Sequence, residues 1–117
     1  EGPLADLMWS DLKILKPGDE IAEERMDLGH KVVDHFNLLN DLSLIVRAHQ
    51  LVQEGYLYWF NDQLVTVWSA PNYCYRMNNK AALLNLDENS NRHFIIFETV
   101  PESSQSKNYR TLMPYFL

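Results

Sequence analysis

A chain of 117 residues, 46% apolar and 22% charged, fits one modest domain or a piece of a larger one, with enough apolar content to bury a core. Ten basic residues against sixteen acidic ones give a net charge of −6, which argues against a general nucleic-acid binder that needs a basic face. No apolar run approaches the roughly 20 residues of a membrane-spanning helix. No signal peptide opens the chain, and the first residue is Glu1, which reads as a chain processed or cut from something longer. A single cysteine, Cys74, excludes an internal disulfide and fits a reducing cytoplasmic or nuclear setting.

Charge concentrates at the start: residues 1–30 hold eight acids and three bases. That stretch also carries Pro3, Pro17 and Gly18 without clear periodicity, so it reads as an irregular surface segment with one helical turn near Ile21–Met26. Its run Asp19, Glu20, Glu23 and Glu24 reads as a solvated face. From His30 to Leu39, Val32, Val33, Phe36 and Leu39 recur on one helical face, with Gly29 just ahead and Asn40-Asp41 as a terminating turn. Leu42–Val46 reads as a short apolar strand. Leu51–Gly55 reads as one or two helical turns closed by glycine.

Strands dominate the remainder. Tyr56–Phe60 and Leu64–Trp68 flank Asn61-Asp62-Gln63 as a hairpin with a three-residue loop. Ala81–Leu86 and His93–Val100 form a second pair around a polar connection at residues 87–92. Beyond Pro101 the composition turns to Ser, Gln, Lys and Asn, a tail with little reason to fold alone. The expectation is a mixed α/β chain, mainly antiparallel, with one or two helices, divided into residues 1–100 and a tail at 101–117.

Four histidines are the first candidates for chemistry. His30 and His35 are five apart on a helix and point in different directions, and His93 opens a strand with no nearby acid. All three read as ordinary surface or edge histidines. His49 differs because it directly follows an apolar strand, a common place for a ligand or base. The second oddity is the loop Ser69–Arg76, which displays Tyr73, Cys74, Tyr75 and Arg76 between two strands, as binding loops on rigid sheets do. No neighbouring histidine or glycine-rich turn marks Cys74 as a nucleophile, and it reads as a packing residue. The chain has no phosphate-cradling glycine loop, no nucleophile elbow and no Cys-x-x-Cys pair.

Taken together, Arg47-Ala48-His49-Gln50-Leu51-Val52, Glu54-Gly55-Tyr56 and Val65–Arg76 resemble the C-terminal part of phosphoprotein phosphatases, nearest the type 2A group with its type 4 and type 6 relatives. Glu1-Gly2-Pro3, Asp6–Asp11 and the terminal Tyr115-Phe116-Leu117 fit the same family. The likeness runs from end to end apart from residues 12–28 and covers about the last third of the family's catalytic domain. It implies the second half of a two-sheet metallophosphatase sandwich with one long helix, whose sheet exposes an apolar face where the first half is missing. It also implies hydrolysis of phosphoserine and phosphothreonine by a water activated at two divalent ions, manganese, iron or zinc.

The resemblance carries over residue by residue. His49 matches the family's last metal-ligand histidine, Tyr73 a tyrosine bordering the phosphate pocket, and Cys74 the cysteine where cyclic-peptide toxins dock. The tail through Tyr115 and Leu117 matches one whose terminal leucine carboxylate is methyl-esterified, tuning the binding of scaffold and regulatory subunits. Phosphoprotein substrates follow from the same likeness. The family's Gly-Asp-x-His-Gly, Gly-Asp-x-Val-Asp-Arg-Gly and Gly-Asn-His-Glu motifs are absent, so His49 is one ligand of six.

Departures define the alternative. An ungapped reading back from Gly29 puts Ala22 where the family has a phosphate-gripping arginine, leaving Arg25 as the substitute contact with two glutamates beside it. Asn78 stands where the family shows glycine, acceptable if the backbone there is left-handed. The chain alone is expected to be inactive. The alternative function is a truncated, catalytically inactive phosphatase-like module that binds scaffold or regulatory subunits.

Overall fold

The computed structural model describes residues 2–11 and 20–101. Among the described residues two helices come first, α1 at Pro3–Trp9 and α2 at Glu20–Leu39. Five strands follow: β1 at Ile45–Arg47, β2 at Tyr56–Trp59, β3 at Leu64–Val67, β4 at Ala81–Leu86 and β5 at Arg92–Phe97. The strands form two sheets, one ordered β1-β3-β2 and the other a β4-β5 pair. This is the mixed α/β architecture expected, with two sheets and one long helix.

Both hairpins stand where the aromatic and β-branched runs and their turn residues placed them, except that the expected strand His93–Val100 is corrected to Arg92–Phe97. β2 pairs antiparallel with β3 from Tyr56↔Val67 to Trp59↔Leu64, and β4 with β5 from Ala81↔Phe97 to Leu86↔Arg92. The third pairing is different in kind. β1 runs parallel to β3, with Ile45, Val46 and Arg47 opposite Leu64, Val65 and Thr66. The central strand β3 is accordingly the best buried, Leu64, Val65 and Thr66 all being enclosed.

Helix α2 begins ten residues before the periodic stretch, so the expected irregular opening with one turn at Ile21–Met26 is corrected to a continuous helix. The cause is propensity rather than patterning: Glu20, Ala22, Glu23, Glu24, Arg25, Met26 and Leu28 are mostly strong helix formers, and acids at the N-terminus favour the helix dipole. Gly29 lies inside the helix, not ahead of it. A Cβ there would sit 3.1 Å from the Phe60 ring, so glycine is what lets Phe60 lie against the helix beside His30. Val33 and Phe36 of α2 then pack on Ile45, Leu57, Trp59 and Leu64 as the core.

The helix ends in a Schellman cap. Asp41 takes φ 53, its N–H reaches Leu38 O, and the Leu42 N–H donates to Asn37 O at 2.9 Å. Leu42 is used up by that cap, which is why the expected strand at Leu42–Val46 shrinks and shifts to Ile45–Arg47. Leu51–Gly55 is a turn, not helical: Gly55 N donates to Val52 O at 3.2 Å, and five residues are too few to offset helix nucleation. Among the described residues, no helix is long and apolar enough to cross a membrane.

The two sheets are joined by backbone. Ala82 N donates to Trp68 O at 2.8 Å and Lys80 N to Gln53 O at 2.9 Å, beside the Trp68 N to Gly55 O bond at 2.7 Å that extends the β2–β3 hairpin. Ala81 and Ala82 are fully buried at this junction. Phe94 of β5 stacks on Tyr56 of β2 with centroids 3.7 Å apart. Leu83 and Ile95 are exposed on one face of the β4–β5 pair, Leu86 and Ile96 on the other.

Candidate functional site

The parallel β1–β3 pairing determines where the candidate residues meet. Two parallel neighbours finish at the same end of their sheet, so the chain leaving β1 at Arg47 and the chain leaving β3 at Val67 emerge side by side. His49 sits two residues beyond β1, and Ser69–Arg76 begins two residues beyond β3. The carboxyl ends of parallel strands are where α/β sheets place ligands. An all-antiparallel arrangement would have sent the two segments to opposite ends.

His49 adopts φ 70, a left-handed conformation that histidine enters more readily than most residues. Its Nε2 lies 3.2 Å from Oδ1 of Asp11, and its ring centroid is 5.2 Å from that of Trp9. Asp11 and Trp9 arrive from the α1 segment, which is tied down at a second point: the Arg47 guanidinium donates through Nη2 to Met8 O at 3.2 Å. Arg47 is only 2% exposed, and its Nε and Nη1 have no hydrogen-bond partner among the described residues. Burial lowers the Arg47 pKa from its ordinary value, an effect partly countered by the Asp11 carboxylate.

The β3–β4 loop is organised by two asparagines. Asn79 is buried; its Oδ1 accepts from Tyr73 N at 2.8 Å while its Nδ2 donates to Ala70 O and Lys80 O, each at 2.9 Å. Asn72 accepts from Asn78 N at 3.0 Å through Oδ1 and donates from its own N–H to Asn79 O at 2.8 Å. Within that frame Tyr73–Tyr75 makes one 3-10 turn, with Asn72, Cys74, Tyr75 and Asn78 all at positive φ. Asn78 at φ 51 is the left-handed residue that its replacement of glycine required. Trp68 stands edge-on to Tyr73 at 4.9 Å and donates its indole N–H to Ala70 O at 2.8 Å.

The sequence candidates therefore divide into two groups at one sheet end. His49 belongs with Asp11 and Trp9; Tyr73, Cys74 and Arg76 belong to the loop, where Tyr73 and Arg76 are exposed and Cys74 is a half-buried free thiol. No hydrogen bond or ring contact joins the groups among the described residues. Arg25 lies within α2, but its side chain is outside the described ones, and Tyr115 and Leu117 lie outside the described residues altogether. Among the described residues no three His, Cys, Asp or Glu side chains converge as a metal site. His49 and Asp11 supply an imidazole and a carboxylate, donors that suit manganese, iron and zinc, so the chemistry of this pair fits part of such a centre.

Sequence reasoning missed Asp11, Arg47, Asn72 and Asn79 as organising residues. Asp11 was visible only inside a matching motif; nothing local relates it to a histidine 38 positions later. The asparagines carried a signal that went unused, since Asn is a common left-handed and side-chain-to-backbone bonding residue in loops.

No family model matches the chain. It is 47% identical to the serine/threonine-protein phosphatase 6 catalytic subunit of Caenorhabditis elegans over 124 residues, an alignment that takes in all of this chain and 36% of that relative. Among solved structures it resembles a protein serine/threonine phosphatase from Saccharomyces cerevisiae, described as similar to human phosphatase PP5, with a TM-score of 0.57 and 28% identity over 61% of this chain and 26% of that one. The chain thus spans about a third of the length of the curated relative it matches. Sequence along the whole chain and fold over 61% of it both liken it to protein serine/threonine phosphatases, in line with the type 2A-like resemblance of its motifs.

Proposed function

We propose that the chain is part of a metal-dependent protein serine/threonine phosphatase whose substrates are phosphoserine and phosphothreonine proteins. The observation that carries this reading is the whole-chain match to a phosphatase catalytic subunit, with His49 held at the sheet end that also presents the Tyr73 loop. Residues 1–100 belong to the catalytic domain and 101–117 to its tail, in a reducing cytoplasmic or nuclear compartment.

In this reading His49 holds one of two divalent ions, the remaining ligands coming from sequence outside this chain. Such ions, when bound, supply an activated water and stabilise charge on phosphate oxygens. The chain's own residues do the rest. Tyr73, anchored through its backbone N–H by Asn79, offers its phenol to a phosphate oxygen. Arg76 adds a cation at the loop mouth, and Cys74 shapes the wall beside it. Arg25 is the candidate phosphate contact from α2. Tyr115 and Leu117 serve partner binding, with the terminal carboxylate of Leu117 open to methylation.

The test is His49→Ala in the full-length protein that carries this chain. Metal-dependent hydrolysis of a phosphopeptide is expected to collapse, and retained wild-type turnover would remove His49 from the metal site. One feature favours a second reading, a non-catalytic module that occupies scaffold or regulatory subunits: Ala22 stands where the family grips phosphate, with Glu23 and Glu24 beside Arg25. In that case deleting Tyr115–Leu117 abolishes capture of a scaffold subunit while phosphatase activity is absent throughout.

A further inference from the structure

His49 and Asp11 are brought together by a long-range arrangement that nothing local requires. Asp11 is otherwise a solvated surface acid, its side chain 71% exposed, and a bare surface ion pair contributes only about 0–1 kcal/mol. The segment nevertheless docks at three points on the end of β1. Arg47 donates to Met8 O, Trp9 meets the His49 ring at a tilt with centroids 5.2 Å apart, and Asp11 reaches its Nε2. The anchor is deeply buried, since Arg47 is 2% exposed. The His49 backbone is left-handed, at φ 70.

We propose that Asp11 is a positioning residue for His49: its carboxylate takes the Nε2 hydrogen, leaving the Nδ1 lone pair as the atom that meets a divalent ion. A neutral imidazole has one N–H and one lone pair, and a carboxylate can only accept. Facing Asp11 Oδ1 at 3.2 Å, a neutral His49 is stabilised with its hydrogen on Nε2 and with Nδ1 free. Outer carboxylates of this kind set the tautomer and raise the basicity of metal-binding histidines. The inference deepens the phosphatase reading and rests on it for the metal.

The experiment uses the full-length protein with 15N-labelled histidine, stripped of metal, at pH 8 where an ordinary imidazole is neutral. Long-range proton–nitrogen spectra assign the tautomer, and titration with Zn2+ reads affinity. Wild type is expected to show His49 with hydrogen on Nε2. Asp11→Ala should give a mixed tautomer and Zn2+ binding weaker by roughly 10-fold, the low end for such partners because Asp11 is exposed. Asp11→Asn keeps an acceptor oxygen and should restore the wild-type tautomer. Hydrogen on Nδ1 in wild type, or an unchanged tautomer and affinity in Asp11→Ala, would overturn the inference and leave the phosphatase reading standing. Undiminished Zn2+ binding by His49→Ala would overturn the metal-ligand reading and the inference with it.

Discussion

The Trp59 indole N–H donates to Thr66 Oγ1 at 3.1 Å across the β2–β3 pair, with both side chains buried. The two residues lie diagonally, since the partner of Trp59 in the register is Leu64. The bond gives the largest core side chain a polar anchor within an otherwise apolar layer. Thr66→Val keeps the shape and strands the indole donor, at an expected cost of about 1–3 kcal/mol. Thermal unfolding of the full-length protein reads it, and Thr66→Ser should recover part of the loss. An unmoved midpoint for the valine variant would mean that the indole finds another acceptor.

Gly55 joins the two sheets at a place where no side chain fits. It takes φ +93, and a Cβ would lie 2.7 Å from the Ala81 carbonyl carbon and 2.9 Å from its oxygen. Those atoms are backbone and cannot rotate away. Gly55→Ala should therefore cost at least about 1–3 kcal/mol from backbone strain alone and push β4 off the sheet. Hydrogen exchange at Trp68 and Ala82 is the direct readout, and wild-type protection at both amides would contradict the expected displacement.

Asn79 holds the Tyr73 loop from within. Asn79→Ala removes one acceptor and two donors, taking the acceptor from the Tyr73 N–H and leaving Ala70 O with the Trp68 indole alone, for an expected loss of about 1–3 kcal/mol. Because Tyr73 N is one of the groups released, the consequence reaches the proposed site. KM for a phosphopeptide should rise and amide exchange across residues 70–79 should quicken. Unaltered exchange there would place the loop's order elsewhere.

Asp87 provides a pH dependence remote from the site. Its carboxylate accepts the side-chain amide of Asn91 at 2.7 Å, the Asn91 N–H at 2.7 Å and the Asn89 N–H at 2.9 Å. These bonds, the Asn91 side chain foremost, hold its pKa below the ordinary 3.8. A carboxyl depressed on folding contributes stability that is present above that ordinary value and lost as pH falls through the folded pKa. Asn91→Ala should move the Asp87 titration upward in a carboxyl-carbon NMR experiment, and an unmoved midpoint would contradict the assigned cause.

What the sequence revealed and what it hid follow a physical line. Both hairpins were legible because aromatic and β-branched runs and turn formers are local, and Tyr56–Trp59 with Leu64–Val67 appear almost residue for residue. The first half of α2 was hidden because propensity, not periodicity, carries it. The apolar run after the helix was misread because Leu42 closes the Schellman cap. Of the candidate site, His49 and the Tyr73 loop were visible as chemistry in suggestive places, but their common sheet end was not, since parallel pairing leaves no mark in either strand. Asp11 is the extreme case, meaningful only once the chain between it and His49 has folded.

The parallel strand also has a kinetic meaning. β2 and β3 close through pairs as near as Trp59 and Leu64, while every β1 pair joins residues 19 apart and waits on a surface that the hairpin must first supply. Non-local pairings pay loop-closure entropy before they are rewarded. His49 therefore follows the strand expected to join last, and the sheet end that carries it is expected to be the final part of the sheet to form.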